Sequence, residues 1–336
     1  MIWARAEGCR VWDEDGREYL DLSGGFGVAA LGHRNPLIAA AWAAQPVVHA
    51  LGDLADASVT VALRERLGPS KLGVTGEDAV EIGLRTALLA TGKPGIVAFE
   101  GAYHGTGLLA LAATSLERFR EPFAAWLPGP VHRFAYGEDP GPLPEDTGCV
   151  IVEPVQARGG ARVPPAGFLE TLRQRCDEAG ALLVCDEVYC GLGRTGVIWR
   201  SDTLADVILT GKALGGGLPL SAALFLRPEL AAAWDLGPED VLTHTHVGSP
   251  LACAAALIVL DAVPKLLDHV LGLGERFEAG GWHGAGLLRA KSGDWEEAWR
   301  RRVLVMPAGS DGSMISATPP LTISEAEIDE ALERLA

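Results

Sequence analysis

From Gly95 to Arg227 the chain repeats one pattern: a short apolar run that stops at a polar residue, then a longer mixed stretch. The runs are "GIVAFE", "CVIVEPV", "ALLVCDEV", "DVILTGK" and "AALFLR". They are rich in β-branched residues, too short for helices, and do not alternate, which predicts strands covered on both faces. Between the second and third, "PPAGFLETLRQRCDEAGA" sets Phe168, Leu169, Leu172, Cys176 and Ala179 on one helical face. "PLIAAAWAAQ" and "DAVEIGLRTALLATG" also have helical spacing, the second stopping at Gly92 as a helix C-terminus should. The alternation predicts an α/β domain with a largely parallel sheet over residues 46–240.

The flanks read differently. "CRVWDEDGREYLDL" alternates on both sides of Asp15-Gly16 and predicts a hairpin. From about residue 250, "PLACAAALIVLDAV" is a strongly apolar helix, followed by short strands and a last helix, "SEAEIDEALERLA". There Ser324 and Glu327 fit a capping box. "GEDPGPLPEDTG" is a loop, and no repeat or low-complexity segment is evident.

Composition narrows the function. With 336 residues, 48% hydrophobic and 21% charged, the chain has ample material for a core. A net charge of −16 opposes nucleic acid or an anionic membrane surface as the main partner. The six cysteines form no C-x-x-C and several sit in apolar runs, which suits buried free thiols in a reducing cytosol and no metal. The first residues lack a signal-peptide pattern, and no apolar run approaches the ~18 residues of a membrane span. The expected location is cytoplasmic.

"GLGRTG" at Gly191–Gly196 spells the dinucleotide fingerprint G-x-G-x-x-G. Its context fails. The preceding strand reaches its polar end at Asp186, before the glycines, and "VIWRSDTLAD" is short for a crossover helix. The strand ends carry other chemistry: Glu153, then Asp186-Glu187, then Lys212. In open α/β sheets ligands gather at the carboxyl ends of strands. A carboxylate and a lysine on successive strand tips suit pyridoxal 5′-phosphate (PLP), where the lysine holds the aldehyde as an imine and the carboxylate keeps the ring nitrogen protonated. A structural Asp–Lys ion pair is the alternative.

The motif order resolves this. "VWDEDGREYLDLSGGFGVAALGHRNP", "TGEDAVEIGLRTALLATGKPGIVAFEGAYHG", "VIVEPVQARGG", "CDEVYCGLGRTG", "LTGKALGGGLPLSAAL", "THTHVGSPLACAAA" and "ATPPLTISEAEID" follow one another. In this series the chain resembles, nearly end to end, the class III (ornithine/GABA-type) PLP-dependent aminotransferases of fold type I. The resemblance implies a large domain (46–240) with a mostly parallel seven-stranded sheet. It also implies a smaller α+β domain from an N-terminal segment (1–45) and residues 241–336. The activity implied is transamination between an amino donor and an oxo acid, by a ping-pong mechanism, in a homodimer. An aminomutase or amino-acid epimerase of the same family is the alternative, and a non-catalytic member a third.

By the same resemblance Lys212 forms the Schiff base with PLP and Asp186 pairs with the ring nitrogen. Val188, on the same strand face as Asp186, packs on one side of the ring and Tyr103 on the other. Gly76 and Glu77, with Asp78, open a helix suited to the phosphate. Thr245 reaches the phosphate of the neighbouring subunit. His104 and Glu153 lie near the cofactor, and Arg194 is structural. Three positions depart from the pattern. Glu77 stands where a small or hydroxyl residue is usual, so its side chain is expected to face away from the phosphate. Tyr189 replaces a glutamine that bonds the cofactor's phenolate oxygen. The arginine that many members carry before Pro-Pro-Leu is replaced by Ser316 or Ala317, while Arg158 stands where its acidic partner is usual. Arg158 is therefore a candidate for the substrate carboxylate, with Phe26 beside the substrate. The stretch before the phosphate loop and the C-terminal tail look trimmed.

Overall fold

The computed structural model describes residues 1–51, 54–237 and 241–336; the domain boundary expected at residue 240 lies outside them. Three short strands open the chain: β1 (Trp3–Glu7), β2 (Arg10–Asp13) and β3 (Glu18–Asp21). The last two form the expected hairpin. Seven strands follow: β4 (Ser70–Gly73), β5 (Gly95–Phe99), β6 (Val131–Phe134), β7 (Thr147–Val152), β8 (Leu182–Asp186), β9 (Val207–Thr210) and β10 (Ser221–Phe225). They build one sheet in the order β4-β10-β9-β8-β7-β5-β6. Only β10 is antiparallel to its neighbours, so β4 runs with β9 and six strands point the same way.

Burial explains the sequence pattern. Every residue of β5, β7, β8, β9 and β10 is buried. One face packs on helix 76–91 through Val80, Ile82 and Leu84. The other packs on helix Phe168–Ala179 through Phe168, Leu172 and Cys176. The helix 76–91 begins with a capping box, Thr75 with Asp78, and ends at Gly92 in the left-handed conformation, φ 68°.

The C-terminal strands are β11 (His283–Ala285), β12 (Leu288–Ser292), β13 (Val303–Leu304), β14 (Met306–Ala308) and β15 (Met314–Ala317). Four form an antiparallel sheet ordered β11-β12-β15-β14. The fifth, β13, pairs in parallel with β3, joining the two ends of the chain in one sheet. Leu20, Leu22 and Ile38 share a core with Phe277, Trp282, Ile315 and Ile328. The last helix, Glu325–Leu335, carries the Ser324–Glu327 capping box. One expectation needs correction. Pro250–Ala279 is long and apolar enough, by length and composition, to cross a membrane. Its apolar residues extend past the recognised run through a 3-10 turn at Val263–Leu266. They are used internally: Ala252, Cys253 and Ala256 face the sheet, and Ala255, Val259, Val263 and Val270 the second core.

This helical stretch also explains the glycines of "GLGRTG". Gly193 sits at φ +79°, and a Cβ there would lie 2.5 Å from Val263 Cγ1, a fully buried side chain. Arg194 is buried beside it and donates to the carbonyls of Leu287 (3.2 Å) and Pro319 (2.5 Å). These glycines serve close packing, not a pyrophosphate. Gly193→Ala combines left-handed strain with overpacking and should cost about 2–4 kcal/mol. A thermal melt of the variant within about a degree of the parent would contradict this packing argument.

Candidate functional site

Because β4, β5, β7, β8 and β9 all point one way, their carboxyl ends deliver side chains to a single edge. β4 leads into Thr75-Gly76-Glu77, β5 into Tyr103-His104, β7 into Glu153, β8 ends at Asp186, and Lys212 lies just past β9. All of these line one cavity of about 350 Å³, together with Gly105, Arg158, Val188 and Tyr189. A second hollow of about 380 Å³, beside Glu117, Arg120 and Arg133, gathers none of them. Thr75 and Gly105 were not singled out from the sequence, although the T-x-x-D spacing of a capping box marks Thr75.

Lys212 is held at φ +40°, a strained value for a side-chain-bearing residue and one that recurs at functional sites. Its Nζ lies 4.2 Å from the Tyr189 ring centroid. Burial lowers its pKa to about 8, against the opposing pull of Asp186 and Glu153. Asp186 accepts from His104 Nδ1 (2.8 Å) on one oxygen and from the Val188 N–H (3.2 Å) on the other. Val188 therefore does not share a strand face with Asp186, as expected from the sequence. The strand ends at Asp186 and the chain turns back under its carboxylate. Glu153 receives the N–H of Tyr103 (2.9 Å) and of Ala157 (3.1 Å), and burial raises its pKa to about 7. It ties two cavity walls together.

The arrangement suits a flat, phosphorylated, carbonyl-bearing ligand. A Cβ at Gly76 would lie 2.8 Å from Val188 Cγ1, and one at Gly211 3.4 Å from the same atom. A side chain at Gly76 would therefore drive the helix start away from Val188, whereas Gly211 is in ordinary contact distance. The first N–H groups of helix 76–91 have no acceptor within the helix, and Gly76 and Glu77 line the cavity, a setting suited to a phosphate. At the other end, the buried Asp186 carboxylate suits a protonated ring nitrogen. Glu77 Oε2 is engaged by Thr106 and Gly107. Tyr189 fills the glutamine position with its hydroxyl 3.4 Å from Thr318 Oγ1.

The substrate side is equally specific. The Arg158 guanidinium lies 4.6 Å from the Tyr103 ring centroid, 5.4 Å from Phe119 and 5.6 Å from Phe26. It has no ion-pair partner among the described residues. Arg158, Phe26, Tyr189 and Ser316 meet in a small chamber beside the main cavity. Ser316, not the core residue Ala317, thus occupies the wall facing Arg158. Phe26 is held at φ +62° within a run of left-handed glycines. Thr245 stands apart: it is exposed, lines no part of this cavity, and its carbonyl meets His49 Nε2.

Comparison with known proteins agrees with this geometry. The model of the class-III aminotransferase family matches residues 1–280. The chain is 36% identical to an acetylornithine aminotransferase of Methanopyrus kandleri, over 98% of this chain and 92% of that one. It is 32% identical to the 4-aminobutyrate aminotransferase of Escherichia coli, over 98% and 91%. The ornithine aminotransferase of Toxoplasma gondii superposes with a TM-score of 0.90 at 25% identity, over 99% of this chain and 89% of that one. A PLP-bound amine transaminase from an uncultivated Pseudomonas species gives 0.85 at 27%, over 100% and 93%. The isomerase alternative finds no support among these relatives. The cavity, its half-buried lysine and buried carboxylate, and these relatives agree: the chain belongs to the class III aminotransferases, enzymes that transfer amino groups with PLP.

Proposed function

We propose that this transaminase acts on a carboxylate-bearing partner, donor or acceptor, and that Arg158 holds its carboxylate. The supporting observation is the Arg158 guanidinium, without an ion pair among the described residues and boxed by Tyr103, Phe119 and Phe26. It faces Ser316, close to where many family members carry the arginine. Arginine binds carboxylates in a two-pronged manner, and aromatic faces orient its plane without neutralising it. The cation has changed walls; the chemistry it serves has not.

When bound, PLP supplies a carbonyl that takes up the amino group and a ring that withdraws electrons from it. In this reading Lys212 would hold that carbonyl, and its Nζ, with pKa about 8, would be suited to accept and return the substrate's Cα proton. Asp186 keeps the ring nitrogen protonated, oriented by His104 and the Val188 N–H. Tyr103 and Val188 cover the ring's two faces, and the N–H groups at Gly76 and Glu77 hold the phosphate. The division into residues 46–240 and a smaller domain from both chain ends belongs to the same proposal. So do a homodimer in which Thr245 serves the neighbouring site and a cytoplasmic location, which the six unpaired buried cysteines favour.

Arg158→Ala should raise KM for carboxylate substrates about 10- to 100-fold with a smaller change in kcat. An amine lacking a carboxylate should be little affected. Unchanged KM for every carboxylate substrate would sink the assignment. A second outcome concerns Lys212. Its lowered pKa makes the neutral, nucleophilic amine dominant above about pH 8, whereas exposed lysines require about pH 10.4. Pulse acetylation of PLP-free full-length protein, read by mass spectrometry, should show a midpoint near pH 8 at Lys212 alone. A midpoint shared with surface lysines would contradict the burial argument.

A further inference from the structure

Glu77 breaks the family pattern at the phosphate end of the cavity, and its environment accounts for the exception. Its Oε2 accepts three bonds from the neighbouring loop: the Thr106 N–H (3.1 Å), the Thr106 hydroxyl (3.0 Å) and the Gly107 N–H (3.0 Å). One turn along the same helix, Glu81 Oε1 accepts from the N–H groups of Leu109 (2.8 Å) and Ala110 (3.2 Å). Positions four apart share a helix face, so the two carboxylates form a row gripping residues 106–110. The contact is tight. Gly105 sits at φ +127°, and a Cβ there would lie 2.8 Å from Glu77 Cβ; one at Gly107 would lie 3.1 Å from Glu81 Oε1.

The gripped segment follows directly on Tyr103 and His104, while Glu77 itself belongs to the helix start on another wall of the same cavity. We infer that Glu77 is a positioning residue, latching the ring-stacking loop to the phosphate-holding turn so that the two ends of the cofactor site move as one body. A serine or threonine at this place offers one hydroxyl to the ligand. Glu77 gives that up and instead satisfies three donors of the loop, and those donors offset the carboxylate charge beside an anion. Glu81 extends the grip, but Glu77 is the member that touches the cavity.

This inference rests on the cofactor placement proposed above. It is tested in the full-length protein with Glu77→Ala, Glu77→Ser and Glu77→Gln. Amide exchange over residues 103–110, read with and without PLP, should quicken about tenfold or more in Glu77→Ala and Glu77→Ser. Glu77→Gln, which keeps an acceptor oxygen, should restore part of the protection. PLP release from the holoenzyme should quicken about tenfold in the first two variants. Unchanged exchange overturns the latch. Slower PLP release from Glu77→Ser overturns it too, because Glu77 would then act only by repelling phosphate. Lys212→Ala is run alongside: if it retains PLP like the parent, the cofactor placement is at fault and not the latch.

Discussion

One constraint organises the molecule: an amine and two carboxylates must be kept from water at the same sheet edge without collapsing onto one another. Desolvation drives Lys212 toward its neutral form and Glu153 toward its protonated form. The fold holds them apart by giving each its own strand, β9, β8 and β7 in sequence across the sheet. Asp186 is satisfied by His104 and Val188, and Glu153 by two backbone N–H groups. Lys212 is left with an aromatic face and no hydrogen-bond acceptor for its amine among the described residues. Its neighbours have fixed hydrogen bonds, and the amine proposed to react is the one without them.

What the sequence reveals depends on how each element meets solvent. The strands with both faces covered, β5 and β7 to β10, are legible as continuous apolar runs. The two edge strands of the sheet are not. β4 is "SKLG" and β6 is "VHRF", and no residue of β6 is fully buried. Short, charged edges are how sheets avoid pairing with other chains, and the same property hides them from a hydrophobic pattern. β1, "WARAE", is nearly all exposed and equally silent.

The site divides in the same way. Motif order alone singles out Lys212 and Asp186, and the structure brings both into one cavity. Properties that depend on where a side chain points are not legible in that order. The direction of Glu77 toward Thr106, the aromatic box around Arg158, and the choice of Ser316 over Ala317 emerge only from packing. Val188 does not share a strand face with Asp186 because the strand ends at Asp186, where its apolar run also ends, and Val188 lies in the turn beyond.

The antiparallel strand β10 carries a consequence for how the protein is made. Every residue lining the main cavity lies at or before Lys212 in the chain. Yet β4, whose end supplies Thr75 and Gly76, is joined to β9 only through Ser221–Phe225. A chain that has emerged as far as Lys212 holds every residue lining that cavity but not the strand that hydrogen-bonds β4 to the rest of the sheet. A pairing that spans about 150 residues carries a larger loop-closure cost than the contacts within the local helices. The lining of this cavity is thus complete in composition before β4 has its sheet partner, which comes from five residues that do not line it.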